Sequence, residues 1–117
     1  MNKDKIIINL FVFNSYKNLN QIARNLFKSN LNIKKIIVID NNSSNTLQEK
    51  KNYLNEIKKN YKFKIKLVVN KKNYGLGGSH KILFNILEKE KFDYFINLGT
   101  TNRYFISKVL ADVKKNI

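Results

Sequence analysis

Two short, almost unbroken apolar runs constrain this chain most: Ile6 to Phe13, and Ile36 to Ile39 within Lys35 to Asp40. Apolar residues at consecutive positions are the mark of strands covered on both faces, as in a parallel sheet packed between helices. The β-branched content of the second run points the same way. Each run leads into a polar turn and then into apolar residues at helical spacing. After the first comes the polar turn Asn14-Ser15-Tyr16-Lys17-Asn18, then a stripe of Leu19, Ile22, Ala23, Leu26 and Phe27. Asn30 and Asn32 suit the exit of that helix. After the second, Asp40 to Asn45 is a loop of side chains that bond their own backbone. Thr46 and Glu49 then have the spacing of a capping box, and Leu47, Leu54, Ile57 and Tyr61 supply an apolar side.

The alternation continues. Phe63, Ile65 and Leu67 alternate with Lys before Val68 and Val69, which predicts a half-exposed strand at a sheet edge. The following segment, Asn73 to Ser79, holds three of the four glycines in the chain. It reads as a loop, with Ser79 capping a helix whose stripe is Ile82, Leu83, Ile86 and Leu87. Phe92 to Leu98 predicts a fourth strand and Gly99-Thr100-Thr101-Asn102 a loop. Ile106, Val109, Leu110 and Val113 predict a last short helix. The order βαβαβαβα implies a Rossmann-like α/β fold: a parallel sheet of about four strands, order 3-2-1-4, with helices on both faces. With no internal repeat or linker, residues 1–117 read as a single domain. Ligands of such sheets bind outside the carboxyl ends of the strands. Here those ends are Phe13-Asn14, Asp40, Asn70 to Gly78, and Gly99 to Asn102.

Composition narrows the classes. A chain of 117 residues with 43% hydrophobic content suits one small core. The absence of Cys excludes disulfides and thiolate metal sites. The apolar run near the N-terminus is about eight residues long and lacks a small-residue cleavage site, so a cytoplasmic protein is expected. The formal net charge of +15 raises nucleic acid or anionic membrane as partners. Yet nearly all of it is Lys, with Arg only at Arg24 and Arg103, alongside abundant Asn and Ile. That joint excess is what AT-rich coding sequence produces, and the lysines are scattered through every segment. A solvated basic surface is expected, with peripheral attraction to anionic lipid at the inner membrane face. Nucleic acid is not expected as the partner. The competing reading is a noncatalytic basic α/β module that binds nucleic acid or another acidic partner.

Three features can carry chemistry. Asp40 ends an all-apolar strand, where a carboxylate has no packing reason to sit. It can accept from a ribose hydroxyl or a base N–H, or it can cap the loop by accepting from Asn42 or Ser43 N–H groups. Gly75-Leu76-Gly77-Gly78 lies between a strand and a helix, where backbone N–H groups can approach a phosphate, or where a tight turn needs positive φ. Its spacing matches neither GxGxxG nor a P-loop, and it follows the third strand, so ordinary dinucleotide binding is not expected. His80, the only histidine, is placed to meet a phosphate oxygen or to be a partly exposed polar residue. No partner set for a catalytic triad or metal site accompanies it.

Together the loops resemble one family. Val12-Phe13-Asn14-Ser15 resembles the Thr-Tyr-Asn-x that ends the first strand of family-2-type glycosyltransferases of the GT-A fold. Ile36 to Thr46 resembles their Ile-Val-Val-Asp-Asn-x-Ser-x-Asp-x-Thr segment, and Asn73 to Gly78 their Asn-x-Gly loop. Phe92 to Leu98 resembles the strand that leads into their metal-binding Asp-x-Asp. The resemblance implies the nucleotide-sugar-binding part of such an enzyme, acting in cell-surface glycan synthesis on a UDP- or dTDP-type sugar. It places Phe13 against the base and Asp40 at the base or ribose, with Asn14 and Asn42 also among the nucleotide-sugar-binding residues. Asn73, Gly75, Gly78 and His80 then fall near the ribose and diphosphate, with Thr101 and Asn102 at the Asp-x-Asp position. A divalent Mg or Mn ion is expected of the family, but Gly99-Thr100-Thr101-Asn102 supplies no carboxylate ligand, so no metal residue is assigned. No catalytic residue is assigned either. The family's acceptor-binding half lies beyond the matched segments, so the expectation is a truncated domain, with a separate chain as one source of that half.

Overall fold

The structure is a computed structural model and describes residues 4–101. The expected order is present: β1 (Ile6–Val12), α1 (Leu19–Lys28), β2 (Ile33–Asp40), α2 (Leu47–Tyr61), β3 (Ile65–Val69), α3 (Gly75–Leu87) and β4 (Tyr94–Gly99). A single 3₁₀ turn, Tyr16–Asn18, precedes α1. The helix expected at Ile106 to Val113 lies outside the described residues.

The four strands form one parallel sheet in the order β3-β2-β1-β4. Central β1 is buried along nearly its whole length, which is why its apolar run is interrupted only at Asn9. Period-2 alternation divides it between two cores. Ile6, Ile8, Leu10 and Val12 join Ile36 and Val38 under α1, α2 and the 3₁₀ turn. Ile7 joins Ile37 and Ile39 against Leu83 and Leu87 of α3. Strand β3 is the half-exposed edge, as its Lys alternation predicts.

Helix α1 buries Leu19, Ile22, Ala23 and Leu26 but leaves Phe27 57% exposed, its ring centroid 5.5 Å from that of Tyr61. The capping box of α2 is complete. Thr46 Oγ1 accepts from Glu49 N–H at 3.1 Å, and the Glu49 carboxylate accepts from Thr46 N–H at 2.9 Å.

The start of α3 differs from the sequence expectation. Gly75 to Gly78 form its first turn instead of a loop, and Ser79 is buried inside the helix instead of capping it. Glycine is a poor helix former, so local propensity predicts a later start. What holds the early turn is a polar anchor: Asn73 Oδ1 accepts from Gly75 N–H at 2.8 Å.

Candidate functional site

The carboxyl ends of the strands and the start of α3 enclose a cleft of about 360 Å³. Phe11, Val12 and Phe13 line it from β1, and Gly99, Thr100 and Thr101 from β4. Asn41, Asn73, Gly75, Leu76 and Ser79 line the side toward β2 and α3. Of the residues singled out from sequence, Phe13, Asn73, Gly75 and Thr101 meet here. Asn14, Asp40, Asn42, Gly78 and His80 are not in the lining, and Asn102 lies outside the described residues.

Strand alternation explains the position of Asp40. It shares a face with Ile36 and Val38, so its side chain turns under α2 and is fully buried. Tyr16 Oη donates to Asp40 Oδ2 at 2.8 Å, Ser43 N–H donates to Oδ1 at 2.7 Å, and Lys50 Nζ lies 2.7 Å from Oδ2. Burial pushes the Asp40 carboxyl upward, but the bonds from Lys50, Ser43 and Tyr16 outweigh it and hold the group below its usual 3.8. Burial, reinforced by the bond to Asp40 and its charge, pushes the Tyr16 phenol well above its ordinary value. The loop-cap reading of Asp40 is thus realised, through Ser43.

Lys50 and Tyr16 are the partners that a reading of motifs misses. The signal was nonetheless there. Leu47, Lys50, Leu54, Ile57 and Tyr61 follow one helical stripe, so a lysine stands where an apolar side chain belongs.

Asn41, the next residue, falls on the opposite face, with Ile37 and Ile39, and reaches the cleft. Its Oδ1 accepts from Tyr74 N–H at 2.9 Å and from Asn70 Nδ2 at 3.3 Å. Its Nδ2 donates to Asn73 Oδ1 at 2.6 Å. One amide therefore ties the end of β2 to the start of α3.

The turn that carries Phe13 is braced in the same way. Asn14 N–H donates to Ser43 Oγ at 2.8 Å, and Asn14 Oδ1 accepts from Ser44 N–H at 2.8 Å. Asn14 and Asn42 have φ of 52° and 70°, the left-handed region that Asn tolerates better than most residues. Phe13 itself is 49% exposed at the cleft.

Of the glycines in the first turn of α3, only Gly75 lines the cleft. Gly75 has φ +72°, and a Cβ on Gly78 would stand 2.6 Å from Tyr74 Cβ. At Gly77 a Cβ would meet nothing within 4 Å. The first N–H groups of a helix have no intrahelical acceptor, so this turn offers donors and a positive dipole end. Both ring nitrogens of His80 are engaged within the fold: Nδ1 is 2.8 Å from the Leu76 carbonyl oxygen and Nε2 is 3.2 Å from Asn97 Nδ2. Nδ1–H therefore donates to Leu76, and Nε2 accepts from Asn97. Asn97 Oδ1 in turn accepts from Asn9 Nδ2 at 2.8 Å, while buried Asn9 Oδ1 has no partner among the described residues.

The β4 end does not fit a divalent metal. Gly99 has no side chain, and Thr100 is buried with its hydroxyl donating to the Phe11 carbonyl oxygen at 2.8 Å and bonded to Ser15 Oγ. Thr101 adds one neutral hydroxyl. Mg²⁺ and Mn²⁺ favour carboxylate oxygens, and no cluster of three or more His, Asp or Glu residues stands among the described residues.

The sequence profile described as Glycosyl transferase family 2 matches residues 8–98, which take in every strand-end loop except the last. The chain belongs to glycosyl transferase family 2. Its sheet is that of the N-terminal part of the GT-A fold. Among solved structures it is similar to TarS residues 1–349 from S. aureus, with a TM-score of 0.62 and 15% identity. That likeness covers 95% of this chain and 32% of the TarS chain, so the chain spans about a third of that relative's length. No curated protein matches it. No described helix of this family 2 chain is long and apolar enough to cross a membrane.

Proposed function

We propose that the chain binds a nucleoside-diphosphate sugar of the UDP or dTDP type, as the donor-binding part of a glycosyltransferase acting in cell-surface glycan synthesis. The observation that supports this most is one cleft holding both an exposed aromatic ring, Phe13, and the first turn of α3. The base stacks against Phe13, and the diphosphate lies at the α3 N-terminus, where N–H groups and the helix dipole favour negative charge. Asn41 and Asn73 face the ribose side. Asp40 acts through Lys50, Ser43 and Tyr16, holding the loop that positions Asn41 and braces Phe13.

The donor set at Gly99 to Thr101 supports binding without a divalent metal, so charge on the diphosphate is offset by the helix start and the basic surface. No residue is assigned to the transfer step. The acceptor-binding half comes from another part of the protein or a separate chain, and the lysine-rich surface favours a cytoplasmic site at the inner membrane face.

The test is a titration of UDP into the isotopically labelled chain. Amide shifts at Phe13, Asn41, Gly75 and Thr101 are expected. Shifts confined to scattered lysines, or none, would sink the reading. The net charge of +15 favours the competing module that binds nucleic acid. Steeply salt-dependent RNA binding without UDP shifts would select it.

A further inference from the structure

A second groove, of about 420 Å³, runs between α2 and the edge strand β3, away from the nucleotide cleft. Its floor is apolar, made by Ile65, Leu67 and Val69 of β3 with Leu47 and Leu54 of α2. Leu47 is 54% exposed and Val69 is 39% exposed, so these two leave part of the floor open to water, while Leu54 is buried. Lys51 and Lys58 stand on its rim, and no carboxylate lines it. The other face of β3 carries exposed Lys66, preceded by exposed Lys64. Among the described residues β3 pairs only with β2, so its outer edge presents unpaired backbone N–H and C=O groups.

We infer that this edge binds an extended acidic segment of another protein, added to β3 as an outer strand. Strand addition satisfies the free backbone groups, and alternate side chains of the added segment fall on opposite faces. Apolar residues then enter the groove against Leu47 and Leu67, while the intervening carboxylates face Lys64 and Lys66. Lys51 and Lys58 add attraction at the rim. The five residues of β3 set a core recognition length of about five or six residues.

Charge decides against two other occupants. A second copy pairing edge to edge would bring two strands that both carry Lys64 and Lys66 side by side, and like charges on facing strands are destabilising. Residues 102–117 carry Arg103, Lys108, Lys114 and Lys115 against the single Asp112, so that segment lacks the required sign.

The test uses the full chain and fluorescent peptides of about eight residues. One alternates valine with glutamate, one serine with glutamate, and one valine with lysine. The valine–glutamate peptide should bind, with amide shifts concentrated at residues 65–69, and the serine–glutamate peptide should bind at least tenfold more weakly. Leu47→Asn, at a solvent-exposed position, should weaken the first peptide several-fold. Lys66→Glu should weaken it about tenfold and confer binding of the valine–lysine peptide. Equal binding of the two glutamate peptides would overturn the inference, because it would reduce the effect to diffuse attraction by a +15 chain. So would no binding of the valine–glutamate peptide at millimolar concentration, or a dimer in sedimentation that Leu47→Asn disperses. The groove is separate from the cleft, so none of these outcomes bears on nucleotide binding.

Discussion

Lys50 Nζ lies 2.7 Å from Asp40 Oδ2, and the two side chains are only 6% and 0% exposed. A pair so buried loses most of its solvation, and its value depends on both members being present. Removing one strands the other's charge, which costs about 3–5 kcal/mol. Lys50→Ala should therefore lower the urea midpoint drastically in a domain whose total stability is about 5–15 kcal/mol. Lys50→Met combined with Asp40→Asn should lose much less than the sum of the single changes. A double-mutant cycle by urea denaturation measures this directly, and additive losses would show that the pair is not coupled.

The same carboxylate makes stability depend on pH. The folded-state pKa of Asp40 is below 3.8, so its contribution is present above the unfolded value and is lost as pH falls through the folded one. Glu49 and Glu90 are also lowered, by Thr46 and by Lys35 with Lys34, and act in the same direction. Urea midpoints should fall as the solution is acidified below about pH 4. Asp40→Asn should be less stable at neutral pH but show a shallower acid slope. Tyr16 works from the other end: its raised pKa makes its contribution complete below 10.0 and progressively lost above it. Tyr16→Phe should flatten that alkaline loss.

How much of this was legible follows from particular residues. The nearly unbroken apolar runs at Ile6 and Ile36 betrayed a two-sided parallel sheet, and Thr46 with Glu49 marked a helix start that the structure reproduces. Asp40 was recognised as special, but its direction was not. Counting along the strand from Ile36 and Val38 puts it on the α2 face, and Asn41 on the cleft face. That parity was available in the sequence. Lys50 was hidden because a lysine in a helix reads as surface, and only its place between Leu47 and Leu54 contradicts that. The α3 start was not readable from composition, since it depends on Asn41 and Asn73, which lie 32 positions apart.

Two neighbouring glycines should respond in opposite ways. In a helix interior Gly costs about 1 kcal/mol relative to Ala. Gly77→Ala adds a Cβ that meets nothing within 4 Å, so it should stabilise the chain by up to that amount and raise Tm by a few degrees. Gly78→Ala drives a Cβ to 2.6 Å from Tyr74 Cβ and should lower Tm instead. Calorimetry on the two variants decides it, and equal shifts would contradict the packing described for this turn.

Phe13 can be tested without endangering the fold, because half of its surface is already in water. Base–aromatic stacking contributes about 1–3 kcal/mol by alanine substitution. Phe13→Ala should therefore weaken UDP binding about five- to a hundredfold while leaving the thermal transition almost unchanged. Phe13→Tyr should preserve binding. Unaltered affinity in Phe13→Ala would remove the base from this end of the cleft.

Metal dependence is the sharpest remaining consequence of the β4 end. Thr100 has its hydroxyl committed to Phe11 and Ser15, and Thr101 offers a single neutral oxygen. Neither competes with water for Mg²⁺ or Mn²⁺ as a carboxylate does. UDP affinity measured by calorimetry should change less than about twofold between excess EDTA and millimolar Mn²⁺. Thr101→Asp places a carboxylate at the mouth of the cleft. In EDTA it should weaken UDP binding, because it adds negative charge beside the diphosphate. With Mn²⁺ present it should recover or exceed the original affinity, because the added carboxylate would give the ion a ligand that the native residues lack. Thr101→Asn, of the same shape but neutral, should show neither effect. A native chain that already needs Mn²⁺ would mean that ligands outside Gly99 to Thr101 hold the ion, and the metal-free reading of the cleft would fail.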